Sequence, residues 1–135
     1  MLRNVLYLAL GAVLLSGCFV SVQTEECLTE SEGSRVLRHV VMFKFKDGTS
    51  SQQIKEIEDA FRALPDKIDA ICDFEWGTDV SVENLQQGIT HCFLVTFRSE
   101  ADRAEYLPHP AHKEFGKILG PHLDKVLVVD YWAEK

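Results

Sequence analysis

His39-Val40-Val41-Met42-Phe43-Lys44-Phe45-Lys46 is apolar on both faces for most of its length, which marks a strand with matter packed on each side. Asp47-Gly48-Thr49 makes the turn that follows. Ser50-Ser51-Gln52-Gln53 then offers a capping box, in which Ser50 and Gln53 satisfy each other's backbone amides. Ile54, Ile57, Phe61 and Leu64 recur at helical spacing, with Lys55, Glu56 and Asp59 outside, until Pro65 stops the helix. A second strand is predicted from Ala70 to Thr78 and a third from His91 to Phe97, joined by a polar connection from Val80 to Gly88. Ser99 caps a short helix through Leu107, which Pro108 and Pro110 break. A further helical piece runs from Ala111 to Leu119, stops at Gly120-Pro121, and leads into a last strand from Lys125 to Trp132.

The order is β-α-β-β-α-β. Right-handed crossovers turn it into an α+β, ferredoxin-like split βαβ: a four-stranded antiparallel sheet with helices on one face. The other face is a problem. Val40, Met42, Cys92, Leu94, Leu127 and Val129 fall on it, and no further helix exists to cover them. An apolar sheet face of that size calls for a partner, and the simplest partner is a second copy. A homodimer, sheet against sheet in a dimeric α/β barrel, is the expectation.

The composition fits one such domain. The 135 residues are 46% hydrophobic and 26% charged, with a formal charge of −7. Coiled coil, collagen and low-complexity disorder do not have this composition. The acidic balance, without a basic stripe, argues against nucleic acid as a partner. Residues 1–17 read as a signal segment: Arg3, an uncharged apolar run from Val5 to Leu15, then small residues. Leu15-Ser16-Gly17-Cys18 resembles a bacterial lipobox at all four positions. The resemblance implies cleavage before Cys18 and its lipidation, with a signal anchor or a plain signal peptide as the other readings. Phe19 after the cysteine, where enteric proteins kept at the inner membrane carry Asp, implies a cell-envelope protein anchored in the outer membrane and facing the periplasm. Residues 18–38, polar and glutamate-bearing, read as a flexible tether, and residues 39–135 as the folded domain. Cys72 and Cys92 lie in apolar runs, as small core residues do, while Cys27 lies in the polar segment. No spacing of cysteine or histidine suggests a metal site.

Tyr106-Leu107-Pro108-His109-Pro110-Ala111-His112, with Phe115 behind it, His39-Val40-Val41 at the start and Asp130-Tyr131 near the end, resembles the stress-responsive dimeric α/β-barrel (Dabb) family. The likeness covers about His39 to Trp132. The family has the fold derived above and includes a plant polyketide cyclase. There the equivalents of Tyr106 and His112 form the catalytic pair, and those of His39 and His91 stand near the pocket. The chemistry is reasonable: an imidazole titrates near working pH, and a phenol can donate to an oxyanion. Topology adds a condition. The first and third strands are antiparallel neighbours, so His39 and His91 begin at opposite ends of the sheet and cannot join His112 in one cluster or a three-histidine metal site. His91 is the expected companion of His112.

A pocket is expected between helices and sheet, lined by Val41, Phe43, Ile57, Phe61, Phe93, Val95, Val126 and Val128. Such a lining suits a small apolar molecule, and the same side chains also make a filled core. Glu58 sits one step round from the apolar stripe; pointing inward, it would penalise a bulky hydrocarbon tail. Two functional readings stand. One is an envelope module that binds a small apolar molecule without cofactor or catalysis. The other is an acid–base enzyme, a cyclase or isomerase, using Tyr106 and His112 at an enolisable carbonyl. A haem-using relative would need an axial histidine over an open cavity, and nothing in the sequence specifies one.

Overall fold

The computed structural model describes residues 35–134. The expected signal segment, Cys18, Cys27 and the tether up to residue 34 lie outside the described residues. The elements are β1 (Leu37–Phe45), α1 (Ser51–Arg62), β2 (Asp73–Thr78), β3 (His91–Phe97), α2 (Glu100–Tyr106), α3 (Pro110–Leu119), a 3₁₀ turn (Gly120–His122) and β4 (Leu123–Trp132). The strands lie in the order β2-β3-β1-β4, and every neighbouring pair is antiparallel. This is the ferredoxin-like α+β arrangement derived from the pattern. Among the described residues no helix is long and apolar enough to cross a membrane.

Local chemistry starts each helix. The Ser50 hydroxyl accepts from the Gln53 amide at 3.2 Å, while the Gln53 side chain accepts from the Ser50 amide at 2.9 Å, closing the capping box of α1. Ser99 accepts from the Asp102 amide to start α2. His109 caps α3 with its own ring: Nδ1 accepts from the Ala111 amide at 3.2 Å, and Pro110 occupies the first turn, where no amide is missed.

The core forms where the strand alternation meets the helical stripe. Leu37, Val41, Phe43 and Phe45 of β1 and Phe93, Val95 and Phe97 of β3 point to the helices and are buried. Ile57 and Phe61 of α1 and Phe115 and Leu119 of α3 close over them. Phe61 is the hub, with its ring centroid 4.4 Å from that of Phe93 and 4.5 Å from that of Phe115. Full burial of one such ring contributes about 1.5–3 kcal/mol.

Several boundaries and placements differ from the sequence expectation. β1 begins at Leu37 rather than His39, because Leu37 fills the core between Phe97 and Trp132. β2 begins only at Asp73: Ala70 and Ile71 are buried in a turn, with the Ile71 amide donating to Ile68 O. Cys72 is disulfide-bonded rather than a free core thiol. Cys92 is not in the core either. It is exposed on the helix-free face of the sheet, beside Val40 and Leu94, in a depression of about 270 Å³ that Glu75, Trp76, Gly77 and Tyr131 complete. Val126 and Val128 face the helix side in register with Phe43 and Val41, yet they stay outside the core. β4 is an edge strand, whose end residues Leu123 and Trp132 pack against the core.

Candidate functional site

Only Arg98 and Ser99 separate β3 from α2, so α2 begins at the end of the sheet where β3 leaves and β1 enters. Tyr106, the last residue of α2, is thereby set down on that end. Its ring lies 5.2 Å from Phe97 and meets His39 edge-on at 5.8 Å. The chain then turns at Leu107-Pro108-His109, with the His109 amide donating to Tyr106 O. One turn into α3, the His112 ring comes back to 4.3 Å from the Tyr106 ring. The His112 Nδ1 donates to Leu107 O at 3.0 Å. A carbonyl only accepts, so the proton sits on Nδ1 and the neutral ring keeps a bare Nε2 as a base.

Tyr106 is completely buried. Its hydroxyl is the one buried side-chain polar atom without a partner among the described residues. Burial pushes the phenol well above its ordinary value, so it stays protonated, a donor with nothing to donate to. Buried polar groups are rarely left so, and the exceptions cluster at sites of function.

His39 is anchored from the sheet. Its Nδ1 lies 2.6 Å from Asp130 Oδ1, and the other Asp130 oxygen accepts from Arg103 of α2 at 3.1 Å. Asp130 thus ties the helix that carries Tyr106 to the strand that carries His39. Neither Asp130 nor Arg103 stood among the expected site residues. The available signal was an acid directly after the apolar run Val126-Leu127-Val128-Val129 of the last strand.

His91 is elsewhere. In register it faces Phe43, whereas His39 faces Val95, four residues away along β1 and hence about 13 Å at strand rise. Its ring packs edge-on against Phe45; Nε2 lies 3.0 Å from Glu58 Oε1 and Nδ1 2.8 Å from the Thr90 hydroxyl. The expected companionship of His91 with His112 is therefore corrected: His39 is the histidine beside Tyr106. α2 sets Tyr106 down beside Phe97, at the end of β3 opposite His91. Glu58 does point inward, and its carboxylate is spent on His91. Of the expected pocket lining, Val41, Phe43, Ile57, Phe61, Phe93 and Val95 are packed into the core, while Val126 and Val128 remain about half exposed.

Comparison with known proteins agrees with this frame. The profile of the stress responsive A/B barrel domain matches residues 37–133. The stress-response A/B barrel domain-containing protein HS1 of Arabidopsis thaliana is 47% identical over 100 residues, 74% of this chain and 92% of that one. Olivetolic acid cyclase of Cannabis sativa is 35% identical over 99 residues, 73% of this chain and 98% of that one. Among solved structures, hydroxynitrile lyase from Passiflora edulis superposes with a TM-score of 0.71 at 30% identity, covering 76% of this chain and 96% of its own. A dimeric protein of unknown function with a ferredoxin-like fold from Bacteroides fragilis superposes at 0.60 and 26% identity, covering 73% and 96%. Some relatives with this frame are thus enzymes, and some neighbours are dimers. With the profile spanning both the sheet and the Tyr106–His112 corner, the chain belongs to the stress-responsive A/B barrel domain family.

Proposed function

We propose that this chain is a homodimeric acid–base enzyme of the A/B barrel family that moves a proton at an enolisable carbonyl, as an isomerase or cyclase. The single observation that carries the reading is the buried, partnerless hydroxyl of Tyr106, whose ring packs against two imidazoles. A carbonyl oxygen is the acceptor that this hydroxyl lacks. In the proposed step His112 Nε2 takes the proton from the carbon beside the carbonyl. The C–H electron pair becomes the enolate double bond, and the charge gathers on the oxygen held by Tyr106. Return of the proton to a different carbon, or attack of the enolate carbon on a second carbonyl, completes an isomerisation or a ring closure. His39, oriented by Asp130, flanks the oxyanion. The substrate enters past His112, the partly exposed member of the group.

Glu58 bears on the substrate class. Its carboxylate against His91 puts charge at the far end of the apolar stripe, which disfavours a long hydrocarbon tail and favours a compact carbonyl compound. Binding without turnover is the second reading, and the tight ring packing of Phe43, Phe61 and Phe93 where its pocket was expected counts against it. One experiment separates the two. Small ketones and β-keto thioesters are incubated with the protein in D₂O, and exchange at the α-carbon is followed by NMR. The enzyme reading expects exchange that Tyr106→Phe and His112→Ala abolish. It fails if the wild type exchanges nothing across the panel, or if both variants exchange at the wild-type rate.

The dimer and the anchor belong to the same proposal. The helix-free face with Val40, Met42, Leu94, Leu127 and Val129 supports pairing with a second copy. The Leu15-Ser16-Gly17-Cys18 stretch supports lipidation of Cys18 and attachment to the outer membrane of a cell envelope. Mass spectrometry of the mature protein tests the anchor: a diacylglyceryl adduct on Cys18, lost in Cys18→Ser, is the expected result.

A further inference from the structure

Two apolar patches stand out among the exposed residues once the core and the helix-free sheet face are assigned. Val126 and Val128 stand on the helix-facing side of β4, 47% and 48% exposed. Val80, Val82 and Leu85 stand on the β2–β3 connection, 89%, 89% and 73% exposed. That connection is built rather than loose. The Asp79 amide donates to Thr90 O and the Thr90 amide to Phe43 O, each at 2.9 Å, while Asn84, Gln87 and Gly88 adopt positive φ to shape the tip. Three apolar side chains held towards water on a shaped loop have the character of a contact surface.

We infer that the β2–β3 connection of one protomer is a strap that lies across the helix-facing side of its partner's β4, covering that strand's valines. The inference rests on the sheet-to-sheet dimer proposed above. In a sheet ordered β2-β3-β1-β4 the edges are β2 and β4, so closing two copies into a barrel sets β2 against either its own copy or the other protomer's β4. Charge decides between them. From Cys72 to Thr90 the chain carries Asp73, Glu75, Asp79 and Glu83 and no lysine or arginine, and of these acids Asp73 is paired with Arg38 at 3.9 Å. A β2–β2 seam would set these acids against their duplicates. β4, by contrast, presents Lys125, which has no ion pair among the described residues, while its acids are already engaged: Asp124 with Lys44 at 2.7 Å, and Asp130 with His39 and Arg103. The complementary seam is β2 against β4.

Register then places the strap. The Thr78 end of β2 is level with His91, which is level with Phe43, which is level with Val126. A two-fold axis along the strands keeps that level across the seam. The strap therefore leaves β2 at the height of the other copy's Val126, and by folding back one pleat along β4 it reaches Val128. Two exposed apolar patches cover each other.

Sedimentation equilibrium on the full chain, with hydrogen exchange of the 80–86 amides, tests this. The strap expects Val82→Asp and Val126→Lys each to raise the dimer Kd by about 10-fold or more, and the two together to restore it to within about 3-fold of wild type. It also expects the 80–86 amides to exchange more slowly in the dimer than in the diluted monomer. Thermal melts confirm that these surface variants fold. A dimer whose Kd neither variant moves, with unprotected 80–86 amides, overturns the strap and leaves the dimer standing. Single variants that weaken association without mutual rescue place the patches apart and overturn it too. A wild-type chain that stays monomeric at every concentration overturns the dimer, and the strap with it.

Discussion

His39 Nδ1 and Asp130 Oδ1 face each other at 2.6 Å from directly paired positions of β1 and β4. The carboxylate accepts the Nδ1 proton, so in the neutral ring one tautomer is held. Asp130→Asn keeps the shape and removes the charge. The expected result is a mixed His39 tautomer by ¹⁵N NMR, a stability loss of about 1–3 kcal/mol because Arg103 loses its partner as well, and slower α-proton exchange. A His39 ring still wholly protonated at Nδ1 would contradict the assignment.

Tyr106→Phe separates stability from function. Deleting a buried hydroxyl that no group satisfies should leave stability unchanged or raise it by about 1–3 kcal/mol, while carbonyl proton exchange disappears. The pH dependence follows in sign. The folded phenol titrates above its ordinary value of 10.0, so the unfolded chain releases that proton first. Stability is intact below about pH 10 and falls as pH rises beyond it, a slope the Phe variant lacks. Chemical denaturation from pH 8 to 11 measures both effects.

Glu58→Leu removes the carboxylate that His91 faces. The imidazole keeps Thr90 but loses its partner at Nε2, at an expected cost of about 1–3 kcal/mol in urea titrations. If Glu58 sets the substrate class, the same variant binds longer-tailed ketones more tightly than wild type while its affinity for short ones holds. Unchanged preference would remove Glu58 from the specificity argument.

Cys92 is exposed in the monomer, yet desolvation in its depression, then the nearby Glu75 carboxylate, raises its thiol. It should therefore alkylate more slowly than a free cysteine at pH 7.5, and more slowly still above the dimer Kd, where the second sheet covers it. Alkylation at one rate across all concentrations would place the dimer interface elsewhere.

Phe61 concentrates the core. Phe61→Ala opens a cavity among Phe43, Phe93 and Phe115 and should cost about 3–5 kcal/mol in urea unfolding, with the capping box at Ser50 intact. A loss under 1 kcal/mol would mean that the rings repack, and that the site above them is softer than its packing implies.

Local chemistry made most of the frame legible. Ser50 with Gln53, Ser99 and the alternation of β3 each act within a few residues, so the starts of α1 and α2 and the bounds of β3 could be read from the chain alone, while α3 starts at Pro110, one residue before the expected Ala111. Strand starts were harder. Leu37 joins β1 only because Phe97 and Trp132 stand beside it, and Ala70 and Ile71 are as apolar as strand residues while packing in a turn.

The residues of the site were present in the motif, but their company was not. Tyr106 and His112 are brought together by one proline-bound corner, a local event that their spacing anticipates. That His39 rather than His91 joins them depends on register and on how few residues link β3 to α2. That Asp130 and Glu58 are the acids behind the two histidines depends on contacts 91 and 33 positions apart. Patterning follows from hydrophobicity at a period the backbone dictates; partnership between distant side chains follows from the one packing in which all those patterns are buried at once, and only the folded molecule contains that.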